Sequence, residues 1–578
     1  MAREPLLTFL NRQSGRVTLG FLVLLTAGLM GFSAFLLSPE GTWSGDTGIR
    51  ALQVRALRER GSFAVPYLGQ AVDPENRWNP LAPQYFSWQA DGYYPKFSPA
   101  YAVIVAAAEA LAGKRSAAWP AALSLALTAG ALWWALRAAG SRLSWAAAPA
   151  LTLLSPLLFY ANALWEHETA AALATVGAAA LLAAQFRWTG SPRRAAALAA
   201  LAGAAMGSGL WFRPELYVFI PAVGLAALVL FRRGWPLLGA ALAGCAAALV
   251  PLLIVQQLLY GRAEGAHVAV DSPLVLRGAT LSFVAGHFLR QWLATIPGTL
   301  VPQGPAALWA AAALALAGGV IGAARRKAWG SWLIVVGSAS AGALALLSLA
   351  LRLAPLDLVA SSPVILVGLF ALGRLPAGRR GAAYRFFGLA ALAALLFALL
   401  TAPSPGGAQH GPRYLLLAYP LLIGCAILAL EEWLEQPASR LRTAGLAAAA
   451  VLLVASAAAQ AAGVRNLVVI HEQYARVARL MAALPPDPVV TDLWWFPQVI
   501  PAEIERRPIF VVPAPADVAE LADRVAERGL TALTVVTSNE LAAPLNPPPA
   551  TAAGRRLRPE QTLSLAERRL VIGRYQIE

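Results

Sequence analysis

The sequence predicts an α-helical polytopic membrane protein of about 13 transmembrane helices with a small α/β domain at its C-terminal end. Three observations predict it. Of 578 residues, 58% are hydrophobic and 13% charged, too little charge to coat the surface of a water-soluble chain this long. The apolar residues gather in runs close to the roughly 20 residues that a helix needs to cross the hydrocarbon core. The 46 Lys and Arg, which set a net charge of +16, sit in short clusters between those runs. That is the pattern of the positive-inside rule, and it needs no nucleic-acid partner.

In chain order the expected spans are 17–37, 117–137, 143–161, 169–187, 195–211, 214–231, 236–258, 305–323, 329–351, 357–375, 384–402, 413–431 and 442–462. Arg3, Arg12 and Arg16 precede the first, and no small-residue cleavage site follows it. It therefore reads as an uncleaved signal anchor. The segment 98–112, SPAYAVIVAAAEALA, is short and contains Glu109. If it does not cross, the loops bearing Arg137 and Arg142, Arg187 to Arg194, Arg232 and Arg233, Arg325 to Lys327, Arg374 to Arg385, and Arg440 and Arg442 all share one face with the N-terminus. If it crosses, every later loop changes side and the N-terminal arginines disagree with all of them. Charge thus favours a short interfacial helix, a multi-pass protein of the plasma (inner) membrane, a cytoplasmic N-terminus and an extracytoplasmic C-terminus. Cys245 and Cys425 lie within apolar runs, which argues against a disulfide framework or a Cys-based metal site.

The external face then carries the first loop 38–116, the Trp165–Glu168 loop and the Trp211–Pro214 turn. It also carries a middle loop 259–304, a turn at Arg352–Leu356, a loop 403–412 and the tail from about 463. In the tail, VVTDLWWF, RPIFVV and ALTVVTS read as strands and DVAELADRVAERGL as an amphipathic helix. LNPPPATAAG reads as an exposed loop. Ala-rich runs such as AALAALLFALL point to close helix packing by small residues. There is no internal repeat of the kind from which many secondary transporters are built.

Most of the unusual chemistry falls on this one face. GTWSGDTGIRALQVRALRERGSF places Asp46 between glycines ahead of a short amphipathic helix, suited to lying along the interface with its arginines at headgroup phosphates. Asp46 is either the N-cap of that helix or a free carboxylate. In DGYYPKFSPAY, Lys96 stands among Tyr93, Tyr94 and Tyr101 as an aromatic-belt anchor or a phosphate contact. In LLFYANALWEHETAAALA, Glu166, His167 and Glu168 combine carboxylates with an imidazole. They suit a general base, a divalent-metal site (Mg or Mn) completed by Asp46, or a plain solvated turn. Arg213 in WFRPE, Arg352 in LALRLAP and Arg413 in HGPRYLLLAYP are single arginines on the face that the charge rule strips of them. Each is a snorkelling anchor or a clamp for an anionic headgroup. His267, His287, Arg290 and His410 are spaced too loosely for a metal motif. No P-loop, HExxH, CxxC or GxSxG is present, so nucleotide-driven transport and zinc proteolysis have no motif support.

This succession of motifs resembles the GT-C superfamily of membrane glycosyltransferases, including the protein O-mannosyltransferase and lipid A aminoarabinose transferase families. GDTGIRALQ looks like their acidic segment beyond span 1, YYPKFSPAY like the motif opening their second juxtamembrane helix, WEHE like their second acidic site, and PRYLLLAYP like the start of a late span. The first loop lacks the paired acidic residues of the mannosyltransferases. The resemblance implies a GT-C-like catalytic module over 1–462 and an extracytoplasmic α/β domain over 463–578. It implies transfer of a sugar from a polyprenyl-phosphate donor to a glycan, lipid or protein acceptor, with inversion. Asp46 would be the base and Glu166 or Glu168 the second carboxylate. Lys96, Arg213, Arg352 and Arg413, with Tyr94 and His410, would hold the lipid phosphate. The competing readings are an O-antigen ligase or polymerase type transferase and a flippase of lipid-linked sugars. The flippase would place charge at mid-membrane depth.

Overall fold

Every one of the thirteen expected spans contains helix in the computed structural model, which describes residues 14–81, 85–89, 92–231, 234–263, 306–352, 357–375, 377–401, 410–538, 547, 550–565 and 569–578. Eight helices among the described residues are long and apolar enough to cross a membrane. Others are shorter than the sequence suggests, and proline is one cause. The expected span 143–161 breaks at Ser155, extended at φ −127° and ψ 156° before Pro156, leaving Ala147–Leu154 and Leu157–Tyr160. The span 357–375 breaks in the same way at Ser362 before Pro363, leaving Leu358–Ser361 and a 3-10 helix, Pro363–Gly373. Proline has no N–H to donate and pushes the preceding residue out of helical geometry. The last span is longer than expected. It belongs to a 44-residue helix, Arg440–Ala483, which meets no proline until Pro485. The segment 98–112 is the 14-residue helix Pro99–Ala112, about 21 Å long and too short to cross.

The chain divides into two compact units: Met1–Phe32 with Ala118–Asn466, and Ser33–Ala117 with Leu467–Glu578. The first is the helical bundle, packed by small residues as the Ala-rich runs suggest. A Cβ on Gly203 would stand 1.7 Å from the carbonyl oxygen of Ala241, so helices Pro192–Gly209 and Gly234–Tyr260 touch backbone to backbone. At one end of this bundle, Glu431 accepts from Ser141 Oγ (2.5 Å) and Arg380 (2.9 Å), Glu435 pairs with Arg380 and Arg142, and Glu432 with Arg374. Loops that charge parity assigns to one face therefore meet there.

In the second unit the first loop and the C-terminal residues share one core, which includes Ile49, Leu52, Trp78 and Phe97 with Phe496, Phe510, Leu521 and Val536. The division expected at residue 462 is thus corrected: the first loop packs with the tail, because its large apolar side chains are buried there. Five strands form the sheet: β3 (Val489–Thr491), β4 (Ile509–Val511), β5 (Ala532–Ser538), β6 (Leu557–Leu565) and β7 (Leu570–Ile577). Their order is β4-β3-β5-β7-β6, with β3 parallel to both β4 and β5 and the rest antiparallel. The amphipathic helix Pro515–Glu527 connects β4 to β5. Trp78 completes the β4 edge, its carbonyl accepting from Val511 N–H at 2.8 Å. The β6–β7 hairpin has no counterpart among the strands expected from the sequence.

The helix Gly45–Arg60 departs from the interfacial reading. Ile49, Arg50, Leu52, Gln53, Val54 and Ala56 are all buried, so it is a core helix of this unit. Its arginines meet protein carboxylates rather than open headgroups: Arg55 and Arg60 pair with Glu505 (2.8 and 2.5 Å) and Arg58 with Glu109 (2.7 Å).

Candidate functional site

In the second unit, Asp46 stands in the first turn of the Gly45–Arg60 helix and is half-buried. It is not the cap. Ser44 holds the N-cap position, and Thr47 Oγ1 accepts from the N–H groups of Trp43 (3.0 Å) and Ser44 (2.9 Å). Arg50 reaches back to the Asp46 carbonyl (3.1 Å) and lays its guanidinium 3.8 Å from the centroid of the Phe97 ring. Gln53 Nε2 donates to the Phe97 carbonyl at 3.1 Å. The Asp46 helix is thereby tied to the neighbour of Lys96.

Lys96 is only 7% exposed, and its Nζ lies 5.5 Å from the centroid of Tyr85. It is a buried cation over an aromatic face, unlike a belt anchor. Tyr94 is half-buried in the hairpin of β1 (Phe86–Gln89) and β2 (Gly92–Pro95), opposite Ser87. The glycines around Asp46 also find their reason here. A Cβ on Gly48 would stand 1.6 Å from the carbonyl oxygen of Gln498, and one on Gly45 2.0 Å from Gln498 Oε1. The short helix Phe496–Val499 rests directly on this turn.

In the first unit, Arg213 is buried and committed on three donors: Nη1 to Glu166 (2.9 Å), and Nε (2.9 Å) and Nη2 to Glu215. Its charge is met by two carboxylates, which makes it an organiser of acidic groups rather than an open phosphate clamp. Glu215, two residues on in WFRPE, is a site residue that the sequence reading missed. The turn interpretation of Glu166 is corrected too: at the N-cap of His167–Arg187 it makes no capping bond, its carboxylate serving Arg213 instead.

Glu168, in the first turn of that helix, is fully buried, and neither of its oxygens has a hydrogen-bond partner among the described residues. Trp165 Nε1 and Asn162 Oδ1 nearby in sequence share that condition. Buried polar groups are normally bonded, so this cluster is costly to keep. Ring contacts run from His410 through Phe159 and Tyr160 to Trp165 and His167, with centroids 5.2–5.4 Å apart.

His410 is buried, bonded to Gln460 at 2.9 Å and laid flat on Gly463. Burial pushes its pKa down to about 4, so the ring is neutral. That environment gives it a packing role, not a phosphate contact. Arg413 is half-buried three residues on, with Nη2 at 3.0 Å from the Tyr414 hydroxyl. Arg352 is exposed in a left-handed turn at φ 60° after helix Ala328–Ala350. His267, His287 and Arg290 lie outside the described residues. Among the described residues no group of three or more His, Cys, Asp or Glu is placed to hold a metal ion.

Fold and site together define an integral-membrane protein, with one acidic-basic constellation in its helical bundle and a second in its α/β unit. No family model matches the chain, and no curated protein matches it. Among solved structures it is similar to ArnT from Cupriavidus metallidurans in the apo state, at 14% identity over 96% of this chain and 97% of that one, with TM-score 0.47. ArnT from the same organism has also been solved bound to undecaprenyl phosphate (TM-score 0.45). The Archaeoglobus fulgidus oligosaccharyltransferase matches at 12% identity over 89% of this chain and 68% of that one, with TM-score 0.49. The mycobacterial arabinofuranosyltransferase AftD matches at 16% over 98% and 41%, with TM-score 0.41.

Proposed function

We propose that this chain is an integral-membrane glycosyltransferase. It would move a sugar from a polyprenyl-phosphate donor to an acceptor hydroxyl at the extracytoplasmic face. The observation that carries the reading is the seating of Asp46: a half-buried carboxylate in the first turn of its helix, on a turn held by Arg50, Gln53 and Gln498. Such a group suits a general base, which must be fixed in place.

In the proposed reaction Asp46 takes the proton of the acceptor hydroxyl as that oxygen attacks the anomeric carbon. The new C–O bond forms as the bond from that carbon to the phosphate oxygen breaks. The lipid phosphate leaves with the electron pair, and the anomeric centre inverts. Lys96, in the same unit as Asp46, would meet the charge that develops on the phosphate. In the helical bundle, Arg213 would hold Glu166 and Glu215 in place.

The test is an in vitro transfer assay with radiolabelled polyprenyl-phosphate sugars. Asp46→Asn, close in size but unable to take the proton, should lower kcat by about 10²–10⁴-fold. Full activity in that variant would overturn the assignment.

A further inference from the structure

The segment DLWWFPQ does more than close the sheet. Trp494 is 52% exposed, although its neighbours from Phe496 to Ile500 are buried. Its indole nonetheless has a ring neighbour. It lies at 12° to the Tyr85 ring with centroids 6.2 Å apart. Tyr85 is held in turn by Phe97 at 6.3 Å, by the Lys96 ammonium at 5.5 Å, and by the Lys96 N–H, which donates to its carbonyl at 2.9 Å. The same turn is locked to the Asp46 helix. Gln498 Nε2 donates to the Trp494 carbonyl (3.2 Å), and the Gln498 backbone and amide oxygen fill the space above Gly48 and Gly45. An exposed indole, ranged nearly parallel to a tyrosine ring, thus shares one short segment with the residue that seats the Asp46 turn.

We propose that Trp494 and Tyr85 form a stacking platform for a sugar ring of the acceptor. The C–H groups on one face of a pyranose carry partial positive charge and meet the negative face of an indole, which is the complementarity that orders aromatic pairs. Both rings already have packing partners, so less conformational freedom is lost when a sugar ring settles on them. This assigns the acceptor class as a glycan or glycolipid, and it rests on the proposed glycosyl transfer. The half-exposed indole is what a sugar face requires. Trp88, also exposed (60%), lies at 58° to Tyr93 and offers no comparable flat pair.

The test uses full-length protein in nanodiscs and the methyl glycosides of glucose, galactose, mannose, N-acetylglucosamine and arabinose as probes. Saturation-transfer NMR should show contact confined to one ring face for at least one glycoside. Trp494→Ala should weaken that contact about tenfold, Trp494→Phe should retain part of it, and Trp88→Ala should leave it intact. No face-selective contact, or one unchanged in Trp494→Ala, overturns the platform. A second readout separates a sugar site from a membrane anchor. In 5-fluorotryptophan-labelled protein the Trp494 resonance, identified by its loss in Trp494→Phe, should be untouched by spin-labelled lipid. Broadening by that lipid overturns the proposal. Because both readouts are of binding, Asp46→Asn protein should give the same results as wild type, so failure of the base assignment and failure of the platform remain distinct.

Discussion

At the scale of single residues, the two constellations answer to different physics. The Glu166–Arg213–Glu215 group is a buried ion cluster, and removing one member leaves uncompensated charge. Arg213→Ala should therefore cost about 3–5 kcal/mol, read as a drop in thermal stability of the purified protein. Arg213→Lys should rescue only part of it, since an ammonium cannot fork between two carboxylates. His410 gives a pH signature. Its pKa is near 6.5 when unfolded and about 4 when folded, so the unfolded chain binds the extra proton in between. Stability should be intact above about pH 6.5 and decline as pH falls towards about 4, by up to about 3 kcal/mol. Melting curves from pH 7.5 to 4.5 should show this decline in wild type and a flatter profile in His410→Gln. An unchanged slope would rule out His410 as its source.

Among the elements, close approach is enforced by glycine in two places with two purposes. Gly203 lets two helices of the bundle meet at the Ala241 carbonyl. Gly203→Ile should overpack that contact and destabilise by about 1–3 kcal/mol, measurable by thermal unfolding in detergent. Gly48 lets Gln498 sit on the Asp46 turn. Gly48→Ala should displace that turn and lower kcat while leaving the melting of the helical bundle unchanged. Both glycines were visible in the sequence, and GDTG drew notice for its aspartate. What the glycines face was not visible, because Gln498 lies 450 residues further along.

For the whole molecule, the prediction concerns sidedness. Loops assigned to one face by charge parity meet around Glu431 to Glu435, and residues assigned to the other face meet around Arg213 and His410. In a variant lacking Cys245 and Cys425, a cysteine at exposed Thr189 should react with membrane-impermeant maleimide only after permeabilisation. A cysteine at exposed Gln561 should react in intact cells. The opposite pattern would invert the topology. Hydropathy and the charge rule made the spans legible because lipid imposes both along the chain itself. The breaks at Ser155 and Ser362 were legible in principle, as each precedes a proline.

The sequence by itself determined that this is a polytopic helical membrane protein and where helix runs along it, and it singles out Asp46, Lys96, Glu166, Glu168, Arg213 and Arg413. Composition and periodicity are local properties, and a membrane reads them locally. Only the tertiary structure decided that the first loop folds with the tail, that Ser44 rather than Asp46 takes the N-cap position, that Glu215 joins Glu166 on Arg213, and that Trp494 lies nearly parallel to Tyr85. Most of these depend on side chains distant in sequence competing for the same partner or the same buried space, and no window along the chain records that competition.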